Sequence, residues 1–168
     1  MATVTAANPA LIESSPAKPM AYQEAFVHTD ATYSAGQFCK LVAGLVKEGT
    51  TGAASGVGAD AIQLYALTAV SDAIGDSTTV HTFGVVHEDD LWEINEKTTT
   101  MARITIGVQY GMDVTSNVCT LLSTDTTHKV FVVRNPTWAE RPYSDNSADT
   151  LARVTVKVLS TAIYTVGA

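Results

Sequence analysis

With 168 residues and a formal net charge of −7, the chain has the size of one domain, or of one domain with an extension. Its ten basic residues are scattered singly, which excludes the clustered Lys and Arg that a nucleic-acid partner requires. The apolar fraction of 46% suffices for a core without disulfides or metals, and no apolar run approaches the ~20 residues that span a membrane. Charged residues make up only 16%, and threonine fills about one position in seven, a residue that favours strands over helices.

Residues 1 to about 34 hold Pro9, Pro16 and Pro19 among Ala, Ser and Thr, with no helical or strand period. Proline removes backbone donors and breaks helices, so this segment reads as an extended N-terminal arm. Leu11, Ile12, Met20, Tyr22 and Phe26 are spaced along it. A solvated linker has little use for such side chains, so they are expected to make contacts, on the chain's own domain or on a neighbouring subunit.

From residue 35 to 168 the pattern is that of an all-β domain, a small antiparallel barrel or sandwich, in which short apolar runs alternate with turn residues. Phe38 to Val46 is the first run, broken at Ala43-Gly44. A glycine-rich loop covers Glu48 to Asp60, and a strand is expected at Ile62 to Leu67. Val80 to Val86 and Leu91 to Ile94 read as a pair joined by the acidic turn His87-Glu88-Asp89-Asp90. A short helical turn is placed near Thr98 to Arg103. The clearest alternation is Arg103 to Val108, with Ile104, Ile106 and Val108 on one face; Arg153 to Leu159 repeats it with Val154, Val156 and Val158. Val118 to Leu122 and Val130 to Val133 lie between, the latter apolar on both faces and therefore central. This amounts to about eight strands.

Chemistry-bearing patterns are weak. The loop from Gly49 to Gly58 lacks the Lys-Ser/Thr pair and following helix of a phosphate cradle, so it reads as a surface loop. Four adjacent residues at His87 to Asp90 cannot converge on one ion, so no metal is expected there. Gly-x-Ser-x-Gly is absent and His28, His81, His87 and His128 sit in unrelated contexts, so no catalytic residue, cofactor or enzymatic activity is expected. Cys39 and Cys119 fall in apolar stretches and read as buried free thiols. A signal peptide is not visible, which fits synthesis in a reducing cytoplasm. Trp138 and Tyr143 lie in Asn135-Pro136-Thr137-Trp138-Ala139-Glu140-Arg141-Pro142-Tyr143, a stiff aromatic loop suited to contact with a partner, or to Trp138 folding back to cap one end of the barrel.

Several segments together resemble a family. They are Tyr33-Ser34-Ala35-Gly36-Gln37-Phe38-Cys39-Lys40-Leu41, Asp60-Ala61-Ile62-Gln63-Leu64-Tyr65-Ala66-Leu67-Thr68, Leu91-Trp92-Glu93-Ile94-Asn95, Ile106-Gly107-Val108-Gln109-Tyr110-Gly111-Met112, Lys129-Val130-Phe131-Val132-Val133 and Arg153-Val154-Thr155-Val156-Lys157-Val158-Leu159. In order and texture they look like the small β-barrel head decoration, or cement, proteins of tailed bacteriophages. The resemblance spans roughly residues 33 to 160 and includes no invariant motif. It implies a homotrimer on the virion's capsid surface, assembled in the host cytoplasm, with the major capsid protein as partner. It implies neither nucleic acid nor membrane as a partner. Other readings are a tail-tube or fibre β-protein, or a carbohydrate-binding module using Trp138, Trp92 or Tyr143 as a stacking platform.

Overall fold

A computed structural model of the chain describes residues 8–14, 21–28, 31–49, 62–70, 80–97, 104–134 and 153–163. These form eleven strands in two antiparallel sheets: β1 (Ala10–Glu13), β2 (Tyr22–Phe26), β3 (Phe38–Val42), β4 (Leu45–Glu48), β5 (Leu64–Ala66), β6 (Val80–Val85), β7 (Leu91–Asn95), β8 (Gln109–Thr115), β9 (Val118–Leu122), β10 (Phe131–Arg134) and β11 (Arg153–Val158). One sheet runs β1-β7-β11-β10-β8-β9 and the other β2-β6-β5-β3-β4. The expected all-β, sandwich-like class is what the structure shows.

Two hairpins follow from local turn chemistry. Ala43 and Gly44, at φ 51° and 82°, turn β3 into β4; Ser116 and Asn117, at φ 51° and 61°, turn β8 into β9. Positive φ at both central positions matches the twist of the flanking strands. The first hairpin agrees with the sequence, whereas the full length of β8 was hidden in it.

Each sheet curls until two strands that are not neighbours in its order meet through a parallel bridge. In the six-stranded sheet Glu96 bridges Leu121, and Lys97 N–H donates to the Leu121 carbonyl at 2.8 Å. Buried Glu96 is held there by the Ser123 hydroxyl, which donates to its Oε1 at 2.6 Å. In the five-stranded sheet Val27 bridges Val46, and His28 N–H donates to the Val46 carbonyl at 2.9 Å. Val27, Val46, Cys39, Leu64, Ala66 and Phe83 fill the concave side of this second sheet, closed over by Ala31, Tyr33 and Val70.

The two curled sheets are joined by aromatic rings. Phe38 and Tyr65, on the opposite face of the five-stranded sheet, pack edge-on against fully buried Trp92 of β7 at centroid distances of 4.8 and 4.9 Å. Phe38 also meets Phe131 of β10 at 5.9 Å. Around them lie Ile94, Tyr110, Met112, Leu121, Val133, Val154 and Val156.

The N-terminal segment, expected as an arm, lies within its described parts along the chain's own sheets. β1 pairs with β7 and β2 with β6. β1 and the bridge to β9 share one side of β7, so the segment enters the seam of the six-stranded sheet. Asn8 completes it. The Asn8 carboxamide accepts from Cys119 N–H at 2.9 Å and donates to the Asn117 carbonyl at 3.1 Å, acting as one rung of a ladder.

Two sequence expectations need correction. Arg103 to Val108 is not a strand in its described part: Ile104 is buried, but Ile106 and Val108 are exposed in a turn through Gly107, at φ 82°. Gly107 N–H donates to Val133, and β8 begins only at Gln109. The stretch Val80 to Val86 does not pair with Leu91 to Ile94, because β6 belongs to one sheet and β7 to the other. The acidic turn between them is a crossover, pinned by buried Asp90, whose carboxylate accepts from His87 N–H at 2.9 Å. The proposed helical turn at 98–103 and the glycine loop beyond Gly49 lie outside the described residues.

Two substitutions test this packing. A Cβ at Gly84 would stand 2.0 Å from the Tyr65 ring that covers it. Gly84→Ala is therefore expected to lower stability by about 1–3 kcal/mol through displacement of Tyr65 from Trp92, read by urea denaturation. Asn8→Ala is expected to cost about 1–2 kcal/mol by leaving the Cys119 N–H and the Asn117 carbonyl unpaired; an unchanged urea midpoint would refute the seam role.

Candidate interaction surface

Of the seven residues singled out in the sequence, the structure describes Leu11, Ile12, Tyr22 and Phe26; Met20, Trp138 and Tyr143 lie outside the described residues. Leu11 pairs with Trp92 in the β1–β7 ladder and packs, partly buried, against the main core, so its apolar surface is spent within its own chain. Ile12, in the irregular step between the Leu11 and Glu13 pairings, is half-buried.

Tyr22 and Phe26 are different. Alternation along β2 turns Val27 and Ala25 into the concave core and Tyr22, Glu24 and Phe26 outward. Tyr22 remains 60% exposed and Phe26 45%. The antiparallel register places Val80, 47% exposed, directly opposite Phe26, and Gly84 opposite Tyr22. Tyr22 stands on the same outward row as Tyr65, which also pairs with Gly84. The aromatic row thus starts buried at Phe38 and Tyr65, beneath Trp92, and emerges into solvent at Tyr22.

Val80 was missed because its exposure depends on which strand lies beside it. Leu67, Ile106 and Val108 complete the exposed large apolar residues among those described. Trp92 is fully buried, which removes it as a stacking platform for a sugar.

The polar groups read as structural. Asp125 Oδ1 accepts from the N–H groups of Thr127 and His128 at 2.9 Å each, and its Oδ2 meets the His128 ring at 3.0 Å. Burial raises the Asp125 carboxyl, but these donors and the His128 charge together hold it below the ordinary range. Gly111 packs directly under this turn, where a Cβ would meet the Asp125 carboxylate. Lys97 pairs with Asp113 at 2.8 Å, and Lys157 with Asp89 of the acidic crossover at 3.1 Å. Among the described residues no group of three or more His, Cys, Asp or Glu is placed to hold a metal ion, and no helix is long and apolar enough to cross a membrane.

Both cysteines are free and buried. Burial pushes the Cys119 thiol up to about 12, against a hydrogen bond from the Phe38 backbone, and drives Cys39 well above its ordinary value. Because the thiolate is the nucleophile, neither is a reactive thiol in the fold. The unfolded thiol ionises near 9.0 while folded Cys119 keeps its proton to about 12, so stability is full below pH 9.0 and falls across that window. Each such group contributes a slope of about 1.4 kcal/mol per pH unit. Urea midpoints measured from pH 8 to 11 are expected to fall, with a shallower fall in Cys119→Ala.

No protein-family model matches the sequence, and no curated protein matches it.

Proposed function

We propose that the chain is a structural virion protein, a decoration or cement protein that binds the outer surface of a tailed-phage capsid and stabilises it. The observation that carries this reading is Tyr22, 60% exposed on paired strands at the solvent end of the aromatic row that runs from Phe38 through Tyr65. Aromatic side chains held on paired strands bind at low conformational cost, since little is left to order on contact. The segment order from Tyr33 to Leu159 that resembles cement proteins supplies the capsid as partner.

The mechanism is mechanical. A protein that contacts two adjacent capsomers adds interface area across their junction, so separating them costs more free energy. Several copies acting on one shell, or a homotrimer with three contact rows, convert modest single contacts into high avidity. The net charge of −7 keeps such a protein soluble before assembly.

The direct test is cosedimentation with DNA-filled capsids, prepared from the encoding phage after deletion of this gene. The wild-type chain is expected to cosediment and to raise the temperature at which the shells release DNA. Native mass measurement of dilute protein is expected to count three copies per unit. A Tyr22→Ser variant with an unchanged circular dichroism spectrum is expected to bind at least tenfold more weakly, as loss of an aromatic anchor implies. Wild-type protein left in the supernatant at every concentration would remove the capsid reading.

A further inference from the structure

The outer face of the five-stranded sheet carries an apolar row that spans four strands. Val42 of β3 pairs with Leu45 of β4, and Phe26 of β2 pairs with Val80 of β6. The parallel bridge between Val27 and Val46 sets their predecessors, Phe26 and Leu45, side by side across the seam. Val27 and Val46 both point into the concave core, so Phe26 and Leu45 both point away from it. Phe26 and Val80 are exposed, Val42 and Leu45 half-buried. An apolar row of this kind, exposed at Phe26 and Val80, marks a contact site.

Charge flanks the row asymmetrically. On one side lies half-buried Lys47, with His28 beside it by the same parallel register; Lys40, its partner across the β3–β4 hairpin, is buried. On the other side lies Glu24, opposite Thr82. Along the outer face of β2 the order is therefore acidic Glu24, apolar Phe26 and His28, whose neighbour Lys47 carries the positive charge.

We infer that this row is a contact between two copies of the chain, related by a two-fold axis that crosses β2 at Phe26. That axis reverses one β2 against the other, stacks the two apolar rows, and sets Glu24 of each copy against the Lys47–His28 side of its partner. Both ion pairs form at once because a two-fold contact is self-complementary. An axis along β2 would instead oppose Glu24 to Glu24, which costs affinity. The charge pattern thus selects both the occupant and its direction. The contact does not depend on the capsid reading: it doubles whatever unit the chain forms, monomer to dimer or trimer to hexamer.

Sedimentation equilibrium of the purified full chain at low ionic strength tests it, since salt would screen the flanking pairs. At high concentration the wild-type mass is expected to be twice that of Phe26→Asp and of Val80→Asp, each with association weakened about a hundredfold or more. Either variant suffices if the other fails to keep its circular dichroism spectrum. Glu24→Lys and Lys47→Glu alone are each expected to weaken association about two- to fivefold, in line with exposed ion pairs, and the double reversal to restore it. Equal masses for wild type and a folded apolar-row variant would overturn the pairing. A double reversal no tighter than the single ones would overturn the two-fold direction. Because only the purified chain is present, either result leaves capsid binding to its own experiment.

Discussion

The fold depends on the contact of Trp92 with Phe38 and Tyr65. Among the described residues no ladder joins the strands of the two curled sheets, and the bridge of Ile62 to Ile163 links only the segments that flank β5 and β11. What binds them is the edge-on packing of rings from β3 and β5 against the indole from β7, at 4.8 and 4.9 Å. Each such pair contributes about 0.5–1.5 kcal/mol beyond the area it buries. The position of Tyr65 depends in turn on Gly84, whose missing side chain leaves room for the ring to lie across β6. A bare glycine opposite an aromatic residue would otherwise weaken the ladder; here the ring covers the exposed backbone and reaches the indole.

Closure of the six-stranded sheet is the second constraint. Five strands, β7-β11-β10-β8-β9, curl until β7 and β9 approach, and among the described residues only Glu96 and Leu121 bridge the gap. Unpaired backbone groups at such a seam would be costly where water is excluded. The chain answers with its N-terminal segment: β1 pairs along β7, and the Asn8 side chain substitutes for a strand against Cys119 and Asn117. Arg153 donates to the Asn8 carbonyl at 3.3 Å and to the Glu93 carbonyl at 3.1 Å, which ties the segment to the neighbouring strands. Part of the N-terminal segment is thus a structural element of the fold it precedes.

What could be read in the sequence was local. The Ala43-Gly44 turn, the central position of Val130 to Val133 and the alternation of Arg153 to Val158 each express a preference carried by neighbouring residues. Arg103 to Val108 shows the limit: it has a perfect strand period, yet Gly107 adopts a turn and donates to Val133, a contact far away in sequence. Likewise nothing near His87 to Asp90 indicates that the chain leaves one sheet for the other, because a tight turn and a tight crossover use the same residues. Tyr22 and Phe26 stood out as apolar residues in a proline-broken segment. Val80 did not, since its role is set by pairing with Phe26.

The same alternation that builds the interior explains why apolar surface remains outside. β2 has one face in the concave core, through Ala25 and Val27, and its other face could be polar at no cost to that core. At Tyr22 the outer face adjoins the ring cluster under Trp92, so an aromatic residue there has an intramolecular reason. Phe26 lies four residues further along, about 13 Å at the usual rise of a strand, beyond the reach of that cluster. Its outward position, with Val80 opposite and Leu45 across the seam, therefore has no explanation in the packing of the described residues. An exposed phenylalanine between a carboxylate on one side and a lysine and a histidine on the other is better explained by a surface that covers it, and the order of those charges limits which surfaces fit.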